Sequence, residues 1–129
     1  MSKMAFEVDS KKASDIDEIR IKNGSIGATL NILTGMQGEY FLHYCPSLEI
    51  SGYGKTEDEA LELLRNELEV FCEDLFEMNQ KEREHYLISL GFKKQKFHNK
   101  NFSKAYVDEN GRLRDFDEGT VKRELLETA

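Results

Sequence analysis

The sequence predicts an α+β fold: a small antiparallel β-meander packed by one long helix, followed by an α-β-β-β-α extension. Three observations lead there. Ile26, Ala28, Leu30 and Ile32 alternate with Gly27, Thr29 and Asn31, the period-two pattern of a half-buried strand. Between Glu57 and Met78, the residues Ala60, Leu61, Leu64, Leu68, Phe71, Cys72 and Leu75 fall on one face of about 120°, as a helix packed on a sheet requires. Beyond that helix, a shorter helical run and three strand-like runs surround Asn110-Gly111, a strong hairpin signal.

Residues 1–17 mix Lys, Ser and Asp without a clear period and are expected to form an N-terminal arm. Ile19 and Ile21 suggest a brief extended piece that ends at Asn23-Gly24. The strand from Ile26 to Leu33 is followed by Gly35 and Gly38, which allow a hairpin, and by a partner strand from Glu39 to Cys45. Pro46 closes that strand because it cannot donate to a ladder, and Leu48, Ile50 and Tyr53 give a third, cut off by Gly52 and Gly54. Thr56 and Glu59 form a capping box for the long helix, and Glu57, Asp58 and Glu59 suit its positive end. Leu63 and Val70 lie outside the main apolar face and are candidates for a subunit interface. A helix from Glu82 to Leu90 should end at Gly91 in a left-handed C-cap. Strands are then expected over Phe92–Phe97, Phe102–Val107 and Arg112–Phe116, and a last helix over Glu118–Glu127 with Val121, Leu125 and Leu126 as its apolar side. The expected divisions are an arm over 1–17, a β-β-β-α module over 18–80 and a basic α/β extension over 81–129 packed on it.

The 129 residues carry a net charge of -7, and no stretch approaches the roughly 20 apolar residues a membrane span needs. The first residues lack the apolar run of a signal peptide, so a cytoplasmic protein without membrane contact is expected. The charge is unevenly spread. Residues 57–84 hold eleven acids and three bases, whereas residues 91–114 hold seven bases and two acids. An acidic protein is a poor general nucleic-acid binder, but Lys93, Lys94, Lys96, Lys100 and Lys104 interleave with Phe92, Phe97, Phe102 and Tyr106. Such a strip can neutralise phosphates while aromatics such as Phe102 stack on bases, making these residues candidate RNA or partner contacts. It can equally be two amphipathic strands with aromatics inward and lysines outward, or a surface that meets the acidic helix of a neighbouring subunit or an acidic partner.

Catalytic signatures are missing from the chain. It has no phosphate-binding glycine loop and no nucleophile elbow. Cys45 and Cys72 lack metal-ligand spacing and read as reduced core thiols. His43, His85 and His98 stand apart from one another. The expectation for His43 is a partly buried residue with a hydrogen bond, and a weak ribonuclease using His85 or His98 is the enzymatic alternative. No catalytic, cofactor-binding or metal-binding residue is assigned, and no cofactor is expected.

The stretch from Tyr40 to Leu61 resembles the HicB-like antitoxin module. The residues that carry the resemblance are the turn Cys45-Pro46-Ser47-Leu48, the glycine strand through Gly52, and the helix start Gly54-x-Thr56-x-x-Glu59-Ala60. With the preceding strand, the similarity covers residues 18–78, about half the chain. It implies a trimmed ribonuclease-H-like sheet without catalytic carboxylates, which binds and inhibits a small basic HicA-type RNA-cleaving toxin, with homo-oligomers formed as well. Residues 81–129 lack the helix-turn-helix or ribbon-helix-helix that many members carry, so no DNA-binding motif is recognised. Their helix-strand-strand-strand-helix order is similar to the toxin fold itself, which would make them a fused, inactive toxin-like half; the other reading is a simple extension that completes the sheet. The toxin's Gly-Ser-His signature is replaced by Asn99 to Lys104, with His98 upstream. The functional expectation is a non-catalytic antitoxin-like protein-binding module; the alternative is an RNA-binding module using residues 92–106.

Overall fold

The alternating run at Ile26 makes a longer strand than its own pattern marks, because neighbours on both edges keep supplying hydrogen-bond partners. The structure, a computed structural model, describes residues 6–9, 16–22, 25–95, 97–101, 120 and 122–128. Its strands are β1 (Phe6–Asp9), β2 (Ile16–Lys22), β3 (Ser25–Gln37), β4 (Tyr40–Cys45), β5 (Ile50–Gly54), β6 (Lys93–Lys94), β7 (His98–Asn101) and β8 (Lys122–Thr128). Its helices, α1 (Glu57–Glu77) and α2 (Gln80–Ser89), lie in sequence between β5 and β6. The expected α+β class is therefore the one observed, with one eight-stranded antiparallel sheet and two helices among the described residues.

β3 organises the sheet by serving three neighbours. Thr29 faces both Glu18 of β2 and Glu127 of β8, while Leu33 faces both Tyr44 of β4 and Arg123 of β8. A strand has only two edges, so β8 takes one and β2 and β4 share the other end to end. The expected meander β3-β4-β5 is present, and the sheet also runs β1-β8-β3-β2-β7-β6. Leu30, Asn31 and Ile32 fall between the β2 and β4 ladders, which leaves that short piece of the shared edge without ladder pairing among the described residues.

Ile26, Ala28, Leu30 and Ile32 project from β3 toward the helices and join Ile19 and Leu126 in the core. Leu64, Leu68, Phe71, Cys72 and Leu75 of α1 close over them, with Leu87 of α2 and the following Phe92. These seven lie at 8% exposure or less, so the amphipathic face read from sequence is the buried one. Thr56 caps α1 by accepting from the Glu59 amide, as expected. Gly91 ends α2 with φ +98°, its amide donating to Ile88 O at 2.9 Å while the Phe92 amide donates to Leu87 O at 3.0 Å.

Two expectations are corrected. The final helix over Glu118–Glu127 is instead a strand over its described part, since β8 spans Lys122–Thr128. Its Leu125 and Leu126 are both buried, one on each side of the sheet, and ladders to β3 and β1 outweigh the helical preference of Glu and Leu. The arm expected over 1–17 contains β1 and the start of β2. The described strands of the extension over 81–129 join the same sheet, β7 pairing with β2 and β8 with the central β3. Among its described residues, the run Phe92–Phe97 holds the two-residue β6, and Phe92 itself is buried. The strands expected at Phe102–Val107 and Arg112–Phe116, and the Asn110-Gly111 turn, lie outside the described residues. No helix among the described residues is long and apolar enough to cross a membrane.

Candidate protein-interaction surface

The outer side of α1 carries a dense set of exposed carboxylates, and its placement starts from two glycines. A side chain at Gly52 would put its Cβ 2.4 Å from the Leu64 amide nitrogen and 2.5 Å from Ala60 O; at Gly54 it would lie 2.4 Å from Glu59 Cβ. The helix backbone thus rests on β5, and its polar side is turned fully outward. Arg83 of α2 then satisfies the helix's C-terminal carbonyls, donating through Nε to Leu75 O at 2.9 Å and through Nη2 to Met78 O at 3.1 Å.

Glu57, Asp58, Glu59, Glu62, Glu67, Glu73, Asp74 and Glu77 are all exposed along α1. No ion pair among the described residues engages them; the two salt bridges there are Arg20 with Glu18 and Lys94 with Glu84. Their negative field therefore points into solvent. Within this acidic surface sit both residues expected at a subunit interface, Leu63 half-buried and Val70 at 50% exposure.

The described residues of the basic strip, Lys93, Lys94 and Lys100, have separate surroundings. Lys93 is exposed and faces Asn99, whereas its neighbour Lys94 faces His98 and pairs with Glu84 of α2, holding that carboxyl below its usual range. Lys100 turns inward: its ammonium donates to Leu90 O at 2.6 Å and to Ser47 O at 3.4 Å, above the Phe92 ring. Phe97 is half-buried with the Lys22 ammonium over its ring. Lys96, Phe102 and Lys104 lie outside the described residues. Lys94 thus meets a carboxylate of α2 within the chain.

Burial acts most directly on the two cysteines and on His43 and His98. Both cysteines are free and buried, and their thiols are pushed up to about 12, which leaves them protonated and unsuited to nucleophilic or metal chemistry at neutral pH. No group of three or more His, Cys, Asp or Glu among the described residues is arranged to hold a metal ion. His43 is more buried than expected, at 6% exposure, and its Nδ1 has no hydrogen-bond partner. Burial holds its ring below the ordinary value of 6.5, with Glu57 opposing. His98 is likewise lowered by burial and by Lys94, against Glu84. Because the unfolded chain binds these protons more readily, the stability from both neutral rings is complete above 6.5 and is lost as pH falls below it. Thermal unfolding by circular dichroism should therefore show a midpoint several degrees lower near pH 5 than near pH 7.5, and His43→Gln should flatten the dependence.

Asp17 was not singled out by sequence reasoning, yet it holds the sheet junction together. Its carboxylate is fully buried and lies beside the gap between β2 and β4. There it accepts from the Asn31 amide at 2.8 Å, from Asn31 Nδ2 at 2.6 Å and from the Ser47 hydroxyl. Arg123 continues the network by donating to Asn31 Oδ1 at 2.7 Å. Comparison of the chain with protein-family models, with curated proteins and with solved structures finds no match.

Proposed function

We propose that this protein is a non-catalytic protein-binding module, similar to HicB-like antitoxins, that captures a small basic RNA-cleaving protein of the HicA type and inhibits it. The observation that carries the reading is the outer face of α1, where eight exposed carboxylates stand without ion pairs among the described residues. A surface of that density steers a basic partner and disfavours acidic ones. The Cys45–Ala60 motif order supports it further: Ser47 anchors Asp17, Gly52 and Gly54 admit α1, and Thr56 caps it. The alternative of RNA binding through residues 92–106 has less support, because Lys100 and Lys94 are engaged within the chain.

Co-expression with the product of the adjacent reading frame tests the proposal. A small basic protein should co-purify, and its RNA cleavage should be suppressed in proportion to the amount of this chain present. The double change Glu73→Lys and Glu77→Lys should weaken capture about tenfold or more, because it sets like charge against the partner. Failure of any basic protein to co-purify, or RNA cleavage unaffected by an excess of this chain, would sink the reading. RNA binding should meanwhile be undetectable; if present, it should survive Lys93→Glu no better than half-intact for the alternative to regain ground.

A further inference from the structure

On the outer side of α1, Leu63 and Val70 are seven residues apart, two turns of helix on one line, with Asn66 one turn between them. That is the spacing of a coiled-coil seam, with Leu63 and Val70 at one core position and Asn66 at the other. The positions that flank such a seam are Glu62, Glu67, Glu69 and Asp74, and every one is acidic. Asn66 and Val70 are exposed and Leu63 is half-buried, so no described element of the chain covers the seam. None of these residues belongs to the cluster that packs α1 onto the sheet.

From this we infer that the α1 seam is a docking site for one amphipathic basic helix of a partner protein, with branched aliphatic residues along its own seam and Lys or Arg flanking them. The charge pattern selects this occupant. A second copy of the chain would bring Glu62, Glu67, Glu69 and Asp74 against the same four acids, and like charges at flanking positions oppose pairing. A basic helix meets four carboxylates on its two flanks while its aliphatic seam covers Val70 and Leu63. Asn66, the single polar residue in the seam, sets the register by rewarding one polar partner opposite it. The seam is one heptad long, bounded at the next core positions by Glu59 and Glu73, so affinity depends on its two aliphatic residues and the charged flanks acting together.

The inference rests on the proposed capture of a basic protein and names the element captured. Its test uses the full-length protein and a blocked synthetic peptide of about 20 residues, long enough to be helical when bound, with Leu along its seam and Lys on both flanks. A control peptide has the same composition and charge in scrambled order. Fluorescence anisotropy at about 0.15 M salt should show the ordered peptide binding about tenfold or more tightly than the scrambled one. Val70→Asn, an exposed change that leaves the charge untouched, should reduce the ordered peptide to the scrambled level, with circular dichroism confirming an unchanged fold. Equal binding of the two peptides, or full discrimination by the Val70→Asn protein, would overturn the docking site. Co-purification of a basic protein undiminished by Val70→Asn would leave the capture proposal standing without this seam; peptide discrimination with no co-purifying protein would leave the seam and remove the antitoxin reading.

Discussion

Replacing Gly52 with alanine is expected to destabilise the fold by about 3 kcal/mol or more, because the new methyl group has no direction in which to relax. It would stand 2.4 Å from the Leu64 nitrogen, 2.5 Å from Ala60 O and 3.0 Å from Leu64 Cα, and all three are backbone atoms of α1. The helix would have to lift from β5 as a body, separating Leu64 and Leu68 from the core they fill. A loss of that size lowers the melting midpoint of a chain of this length by about 10 °C. Gly38→Ala supplies the control. Gly38 has φ +58° with nothing within 4 Å, so only backbone strain opposes alanine there, about 1 kcal/mol. Thermal melts of the two variants side by side check the prediction, and a Gly52→Ala protein as stable as Gly38→Ala would show that α1 does not rest on β5. Because the same contact turns the acidic side of α1 outward, Gly52→Ala should also weaken capture of a basic partner.

Asp17→Ala is the second large effect, expected at about 3–5 kcal/mol, since it strands three buried donors at once. The Asn31 amide, Asn31 Nδ2 and the Ser47 hydroxyl all give their hydrogen to this carboxylate. Water cannot replace it cheaply, because Asp17 and Ser47 are both fully buried and Asn31 is nearly so. Asp17→Asn keeps an acceptor and should lose about half as much, measured by urea unfolding of the three proteins. Both variants also lose the pH response of this carboxyl group. Burial raises the Asp17 carboxyl above its usual 3.8, against the hydrogen bonds from Ser47 and Asn31 and the charge of Arg123. The stability tied to this raised group is complete below 3.8 and is lost as pH rises through the folded value, opposite in sign to the two histidines. Removing the carboxylate therefore leaves the histidine-driven loss below 6.5 to act alone.

Periodicity made α1 legible, and its capping box and apolar face follow from residues within four positions of one another. Gly91 was legible for the same reason, since a left-handed helix end is a local event. The meander β3-β4-β5 could be read because short connections join its strands, and Pro46 and the glycines mark their ends. The last strand could not. Val121, Leu125 and Leu126 fit a helical spacing as well as an alternating one, and only the ladders to β3 and β1 decide between them. β1 carries too short a pattern to register at all.

The candidate surfaces divide in the same way. The acid content of α1 and the placement of Leu63 and Val70 off its buried face are properties of one helix, so counting residues was enough to find them. The lysine strip looked uniform as a string, but Lys100 shares a sheet face with Asp17 and is drawn to the α2 carbonyl of Leu90, while Lys94 finds Glu84. Asp17 left no trace in the string because its partners stand 14 and 30 residues away.

What the amino-acid string decides alone is therefore the set of interactions that close within a turn or a hairpin: the helix, its caps, its two unlike faces and the charge each carries. What tertiary structure decides is which polar groups remain available to a partner. Burial and long-range pairing act between residues distant in sequence, and they convert Lys100 and Asp17 into internal ties while leaving the carboxylates of α1 exposed.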